Sequence, residues 1–282
     1  MFKTYTELFK TPGAKRIASA GFISRMPVAM DSIAIILFVH SVESRYSIAG
    51  ALTAVAAFTT VFSSPLWSKV ADQRGQAFVL KIAIPIRILA IIGFVLLVKN
   101  GAPIWTWFLS IFIAECGSVS IGSMTRRRWV NLIDKENKDL LSTSYSFESL
   151  LDEFVYIIGP IITTGIVAAT EPVAGLLLGI CFLVVGVPLI VTHRNSDPAI
   201  EKPEFGEKIK SVTRNKKLQA VGIPLTIAGG CFSAVNISVV AFATEKSMAS
   251  SAGLVLGAWA ASGAVSAIIN GAIRWKISHG TR

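Results

Sequence analysis

Long apolar runs constrain this chain more than any other feature. Eight of them interrupt its 282 residues, each close to the roughly 20 residues that a helix needs to cross a bilayer. They cover residues 17–39, 47–70, 77–98, 104–124, 145–169, 173–191, 218–243 and 252–273. The runs are continuous rather than alternating, which argues against a barrel. A bilayer accepts only helices or closed barrels, because backbone polar groups find no water there. Only 16% of the residues are charged, against roughly 25% in an average soluble domain, too few to cover a soluble globule of this size. The expected fold is therefore an all-α polytopic membrane protein, with the lipid bilayer as its first partner.

The positive charges test this division independently. Of 27 Lys and Arg, 22 fall on one side of the spans, only Arg45, Lys99 and Lys246 fall on the other, and Arg25 and Arg87 lie within spans. Lys and Arg accumulate on the cytoplasmic side of a membrane protein. Both termini and the polar stretch after the sixth span are thus expected in the cytoplasm, with the chain multi-pass in the cytoplasmic (inner) membrane. The net charge of +10 is then an orientation signal, and no nucleic-acid partner is implied. The organisation expected is a six-helix bundle over 1–192, a linker over 193–217 and further spans over 218–282. Short connections, such as Val98 to Pro103 and Thr170 to Pro172, make consecutive helices antiparallel neighbours.

Ionisable groups inside a bilayer are costly and mark function. The first span holds Arg25 and Asp31, six positions apart with Pro27 between them; the third holds Arg87, the fourth Glu115, the fifth Glu148 and the adjacent pair Asp152 and Glu153. Asp31 leads as a proton- or cation-binding carboxylate, and Glu115 is a second candidate. An alternative for Asp31 is a helix-locking ion pair with Arg87 or Arg25. One of Asp152 and Glu153 is expected to face the interior, while Glu148 reads as a gate or loop contact. Arg25 and Arg87 complete the proton or substrate candidates.

Other patterns carry less. Cys116, Cys181 and Cys231 lie in apolar segments without paired or metal-ligand spacing and read as inert small hydrophobes. No phosphate-binding loop ending in Lys-Ser or Lys-Thr, no helical His-Glu metal motif and no carbonyl filter occurs in the sequence, so no cofactor, metal or ATP-driven motor is expected. Trp105, Trp107 and Trp129 read as interfacial anchors. Arg126, Arg127 and Arg128 read as orientation charges in the loop after the fourth span.

Two stretches resemble the major facilitator superfamily of secondary transporters. That family carries Gly-x-x-x-Asp-Arg-x-Gly-Arg between its second and third helices. Here Ser68 to Gln76 keep Asp72 and Gly75, place Arg74 between them, and depart at Ser68, Gln73 and Gln76. In the fifth span Gly159 and Pro160 match the Gly-Pro of a motif of proton-coupled drug exporters, while Val155, Thr163 and Thr164 replace its other glycines. The resemblance implies a major facilitator-type bundle with eight of the usual twelve spans, so that 218–282 holds the first two helices of a second, incomplete bundle. It further implies a conformational-switch loop at Asp72, Arg74 and Gly75, and a helix-packing motif at Gly159 and Pro160. The implied function is secondary active transport, proton-coupled efflux of a small amphipathic solute, with a proton or sodium ion as the coupling partner. Import or facilitation by the same fold, and a truncated non-transporting membrane protein, are the alternatives. No enzyme activity is expected.

Overall fold

The computed structural model describes residues 2–134 and 136–200 and scattered positions between 220 and 266. The chain divides into one unit of residues 1–200 with 263–282 and a second of 201–262. The described positions of the second unit are helical. Most of the expected spans at 218–243 and 252–273, and most of the linker at 193–217, lie outside the described residues.

Among the described residues 2–200, eight helices follow one another: α1 (Phe2–Leu8), α2 (Ala14–Glu43), α3 (Tyr46–Arg74), α4 (Gln76–Lys99), α5 (Ile104–Cys116), α6 (Ile121–Leu132), α7 (Lys138–Ala169) and α8 (Ala174–Val191). Among the described residues, six helical stretches are long and apolar enough to span a membrane, with α5 and α6 together forming one of them. The fold is thus an all-α polytopic bundle.

Helix α2 is the central post, packed along α8, α7, α3 and α6. Between apolar helices in lipid, association rests on close packing rather than on the hydrophobic effect, so small residues gather where backbones approach. Helix α8 shows this against α2. A Cβ on Gly175 would stand 3.1 Å from Ala34, one on Gly179 would stand 3.1 Å from Asp31 Oδ1, and one on Gly186 would collide with Ser24. Helix α7 approaches the same post through Gly159, where a Cβ would lie 2.8 Å from that of Ala29.

The turn between α3 and α4 is a single residue. Gly75 sits at φ 88° and gives its N–H to the Ala71 carbonyl at 2.9 Å, a left-handed exit that favours glycine. Asp72 and Arg74, expected in the switch loop, lie instead in the last turn of α3, and Gly75 alone forms the connection.

The fourth span departs from the expected continuous helix. It stops at Cys116 and resumes at Ile121. Gly117 permits the break, because a Cβ there would strike the Ala83 carbonyl and come within 2.9 Å of the Arg87 nitrogen. The carbonyls freed by the break find donors on α3. The Ser63 hydroxyl donates to the Glu115 carbonyl at 2.7 Å, and the Trp67 indole N–H donates to that of Cys116 at 2.7 Å. Neighbouring side chains thus replace the missing helical bonds, as broken spans require. Arg126, Arg127 and Arg128 accordingly lie in α6 rather than in a loop.

The apolar core is layered. One cluster joins Phe38, Phe94, Val98 and Trp107, and another joins Leu80, Ile84, Met124 and Leu183. Positions 31, 87 and 115 fall between these layers in sequence. A third cluster seats α1 on the bundle through Leu8, Trp129 and the partly buried Phe9, with Phe9 edge-on to Phe147 at 5.1 Å. Trp107 and Trp129 are buried core residues, not interfacial anchors, whereas Trp105 is exposed as expected.

Candidate functional site

Three helices bring Asp31, Arg87 and Glu115 together. The Arg87 guanidinium on α4 donates from Nη2 to Asp31 Oδ2 on α2 at 2.5 Å and from Nη1 to Glu115 Oε2 on α5 at 2.9 Å. The Thr60 hydroxyl on α3 donates to the same Glu115 oxygen at 2.8 Å. All three ionisable residues are buried. One guanidinium therefore faces two carboxylates. With both ionised, the centre carries one net negative charge. Asp31 Oδ1 and Glu115 Oε1 accept no hydrogen bond from the described residues. Of the two pairings open to Asp31 in the sequence, the structure selects Arg87.

Arg25 belongs to a second cluster, between α2, α6 and α7. Its Nη2 pairs with Glu148 and meets the Thr125 hydroxyl, while Nη1 donates to Asp152 Oδ1 at 2.9 Å. Arg126 closes the ring, donating to Asp152 Oδ2 at 2.5 Å. The Trp129 indole N–H donates to Glu148 Oε1 at 2.6 Å. Two cations and two carboxylates balance here, which distinguishes a structural clasp from the unbalanced Arg87 centre. Glu148 is fully buried and is the acceptor at the heart of the cluster, not a peripheral contact. The i, i+4 spacing of Glu148 and Asp152 was the available signal, since it sets both carboxylates on one helix face. Glu153, one residue further, points off that face and forms no ion pair or hydrogen bond with the described residues.

At the end of the bundle where α1 lies, Asp72 pairs with Arg127. Arg74 is exposed, with its guanidinium 5.3 Å above the Phe78 ring. Gln76, where the family motif has Arg, is buried: its Oε1 accepts from Arg128 Nε at 2.8 Å and its amide donates to the Met124 carbonyl at 3.1 Å. Arg128 is fully buried. It also donates to the carbonyls of Ile190 and His193, to Ser196 Oγ and to Asp197. The side chain that read as a loop charge therefore ties α4, α6 and the segment after α8 together. Gly159 and Pro160 lie in α7, with Gly159 at the contact with α2 described above.

His193, just beyond α8, has Nδ1 2.7 Å from Ser196 Oγ. Burial and the guanidiniums of Arg16 and Arg128 hold its pKa below the ordinary 6.5. Unfolding releases the imidazole to titrate near that ordinary value, so below about 6.5 the unfolded chain binds more protons. The contribution to stability is fully present above that pH and is lost as pH falls towards the folded value. Apparent melting temperature in detergent should therefore drop with acidification below this value in the parent chain, and His193→Gln should flatten that slope.

A family model described as Major Facilitator Superfamily matches residues 17–282. No curated protein and no solved structure matches the chain.

Proposed function

The chain belongs to the major facilitator superfamily and is a multi-pass membrane transporter rather than an enzyme, and from that membership we propose that it exchanges protons for a small amphipathic solute through the Asp31–Arg87–Glu115 centre. The single observation that carries this reading is the charge imbalance: two buried carboxylates on one guanidinium. A site that is balanced only by an additional monovalent cation changes its charge when that cation arrives or leaves. The helices it joins, α2, α4 and α5, then feel a different set of forces in the two states, which is what coupling an ion to a conformational change requires.

Outward movement of the solute is supported by Gly159 and Pro160, the pair shared with the exporter motif. An amphipathic solute is supported by a cleft of about 470 Å3 beside α3 and α5, lined by Phe58, Phe62, Leu66, Trp67, Phe112 and Cys116, a volume within the usual range of small-molecule sites. The excess of Lys and Arg at the α1 end supports a cytoplasmic location for that end and both termini, with the chain in the inner membrane.

The test uses the full chain in lipid vesicles carrying an imposed pH gradient and an internal pH dye. Addition of an amphipathic solute should dissipate the gradient. Asp31→Asn should slow this by about tenfold, the size of an ordinary coupling free energy, and Asp31→Asn with Glu115→Gln should abolish it. Dissipation that persists in the double variant overturns the proton reading. A requirement for a sodium gradient instead assigns the cation as sodium, and solute movement without either gradient identifies a facilitator.

A further inference from the structure

We propose that Thr60 on α3 is a positioning residue that passes the charge state of Glu115 to its own helix: the hydroxyl hydrogen goes to the carboxylate when Glu115 is ionised and to the Ala56 carbonyl when Glu115 is neutral. The inference rests on the proton-exchange reading of the Arg87 centre and names the group through which that centre acts on α3.

The Thr60 hydroxyl carries one hydrogen and has two acceptors. Glu115 Oε2 on α5 lies 2.8 Å away, and the Ala56 carbonyl, one turn back on α3, lies 3.0 Å away. One hydroxyl hydrogen serves one of them at a time. Thr59 and Ser68 show the ordinary arrangement on the same helix, each donating to the carbonyl four residues back, at 2.7 Å and 2.9 Å. Thr60 differs because a buried carboxylate competes for its hydrogen. A bond to an ionised oxygen is roughly twice as strong as one between neutral groups, so the carboxylate wins. A neutral carboxyl loses that advantage whichever oxygen holds the proton, and the hydrogen returns to Ala56. The charged groups facing Glu115 are Arg87 from α4 and Asp31 from α2. At this level α3 contributes hydroxyls, and its Lys69, Asp72 and Arg74 lie two turns or more further along.

The return of the hydrogen has a mechanical result. A threonine bonded to the carbonyl four residues back bends its helix. Pro65, inside the same helix, supplies no N–H to the carbonyl one turn before it, so α3 is weakly held where the bend would form. Ser63 and Trp67 continue the Thr60 face and hold the carbonyls of Glu115 and Cys116. A change in the curvature of α3 therefore reaches the break in the fourth span.

The experiment follows amide hydrogen exchange of residues 56–66 in the full chain, in detergent at one fixed pH. Glu115→Gln supplies a neutral carbonyl of the same shape and leaves Arg87 paired with Asp31, so it should fold. It should speed exchange in this segment by about threefold or more, an ordinary coupling between touching groups. In a Thr60→Val background, which keeps the shape and removes the hydroxyl, Glu115→Gln should change nothing there; in a Thr60→Ser background the effect should return. Ser110→Ala, which breaks a tie between α5 and α4 that involves no carboxylate, should lower the melting temperature and leave the Glu115→Gln effect intact. In the vesicle assay Thr60→Val should slow dissipation by about threefold to tenfold, and Thr60→Ser by less. The inference is overturned if Glu115→Gln leaves exchange in 56–66 unchanged in the parent chain, or if its effect survives in Thr60→Val. A chain that dissipates the pH gradient yet shows no Thr60 dependence overturns the Thr60 assignment alone. An exchange response that requires Thr60, in a chain that moves no protons, overturns the coupling reading alone.

Discussion

Arg87→Met is expected to stop transport and to destabilise the folded chain by about 3–5 kcal/mol, the usual cost of stripping a buried charge of its partner. The reason is the number of carboxylates that depend on it. Asp31 and Glu115 both lean on the one guanidinium, and its loss leaves two buried, mutually repelling groups with only the Thr60 hydroxyl to share. The measurement is apparent melting temperature and monodispersity in detergent, followed by the vesicle assay. A further variant separates stability from function. Arg87→Met combined with Asp31→Asn and Glu115→Gln removes every charge of the centre, and replacing a buried ion cluster by neutral groups is often neutral or stabilising. The triple variant should regain most of the lost melting temperature and still carry no protons. If Arg87→Met is as stable as the parent, the guanidinium is not the hub described here.

The second large effect is expected at Glu148. Glu148→Leu removes the acceptor for Arg25, Thr125 and the Trp129 indole at once and leaves Arg25 with Asp152 as its remaining carboxylate. A loss of about 3–5 kcal/mol is again expected, this time as failure of α6 and α7 to stay clasped to α2. Glu148→Gln keeps the shape and an acceptor oxygen and should lose less. Pairing Glu148→Leu with Arg25→Met should be milder than the sum of the singles, because each single leaves the other group stranded; the double-mutant cycle measures that coupling. Additive losses would mean that the Arg25–Glu148 pair contributes no interaction of its own.

The first six spans were legible because their apolar runs are long and their connections short. The start of α7 was not. Hydropathy placed it at Tyr145, whereas the helix begins at Lys138, since its first two turns carry only Leu140 and Leu141 among five polar residues. The physical signal was Asn137, whose side chain accepts the Leu140 N–H at 3.1 Å as a helix cap. The break in the fourth span was hidden for the opposite reason: Gly117 to Ser120 are too short and too small to interrupt an apolar run. The candidate charges were legible as a set, because charges in spans stand out. Their pairing was not, since sequence spacing places Asp31 and Arg25 on different faces of α2 but says nothing about which neighbour each face meets. Trp129 and Arg128 were misread because position near a span end looks interfacial, while burial depends on α1, α7 and the segment after α8 closing over them.

The broken fourth span also has an electrostatic consequence. A helix that ends inside a bundle brings the negative pole of its dipole with it, equivalent to roughly half an elementary charge over the last turn. Helix α5 ends at Cys116, and Gly117 beyond it lies against the Arg87 backbone. That pole therefore adds to the carboxylates already facing the guanidinium, even though Ser63 and Trp67 quench part of it. Neutralising one carboxylate then lowers the negative field at Arg87 without removing it. In a continuous helix the same peptide dipoles would cancel end to end. Interrupting the span turns backbone into a fixed charge that no protonation can switch off.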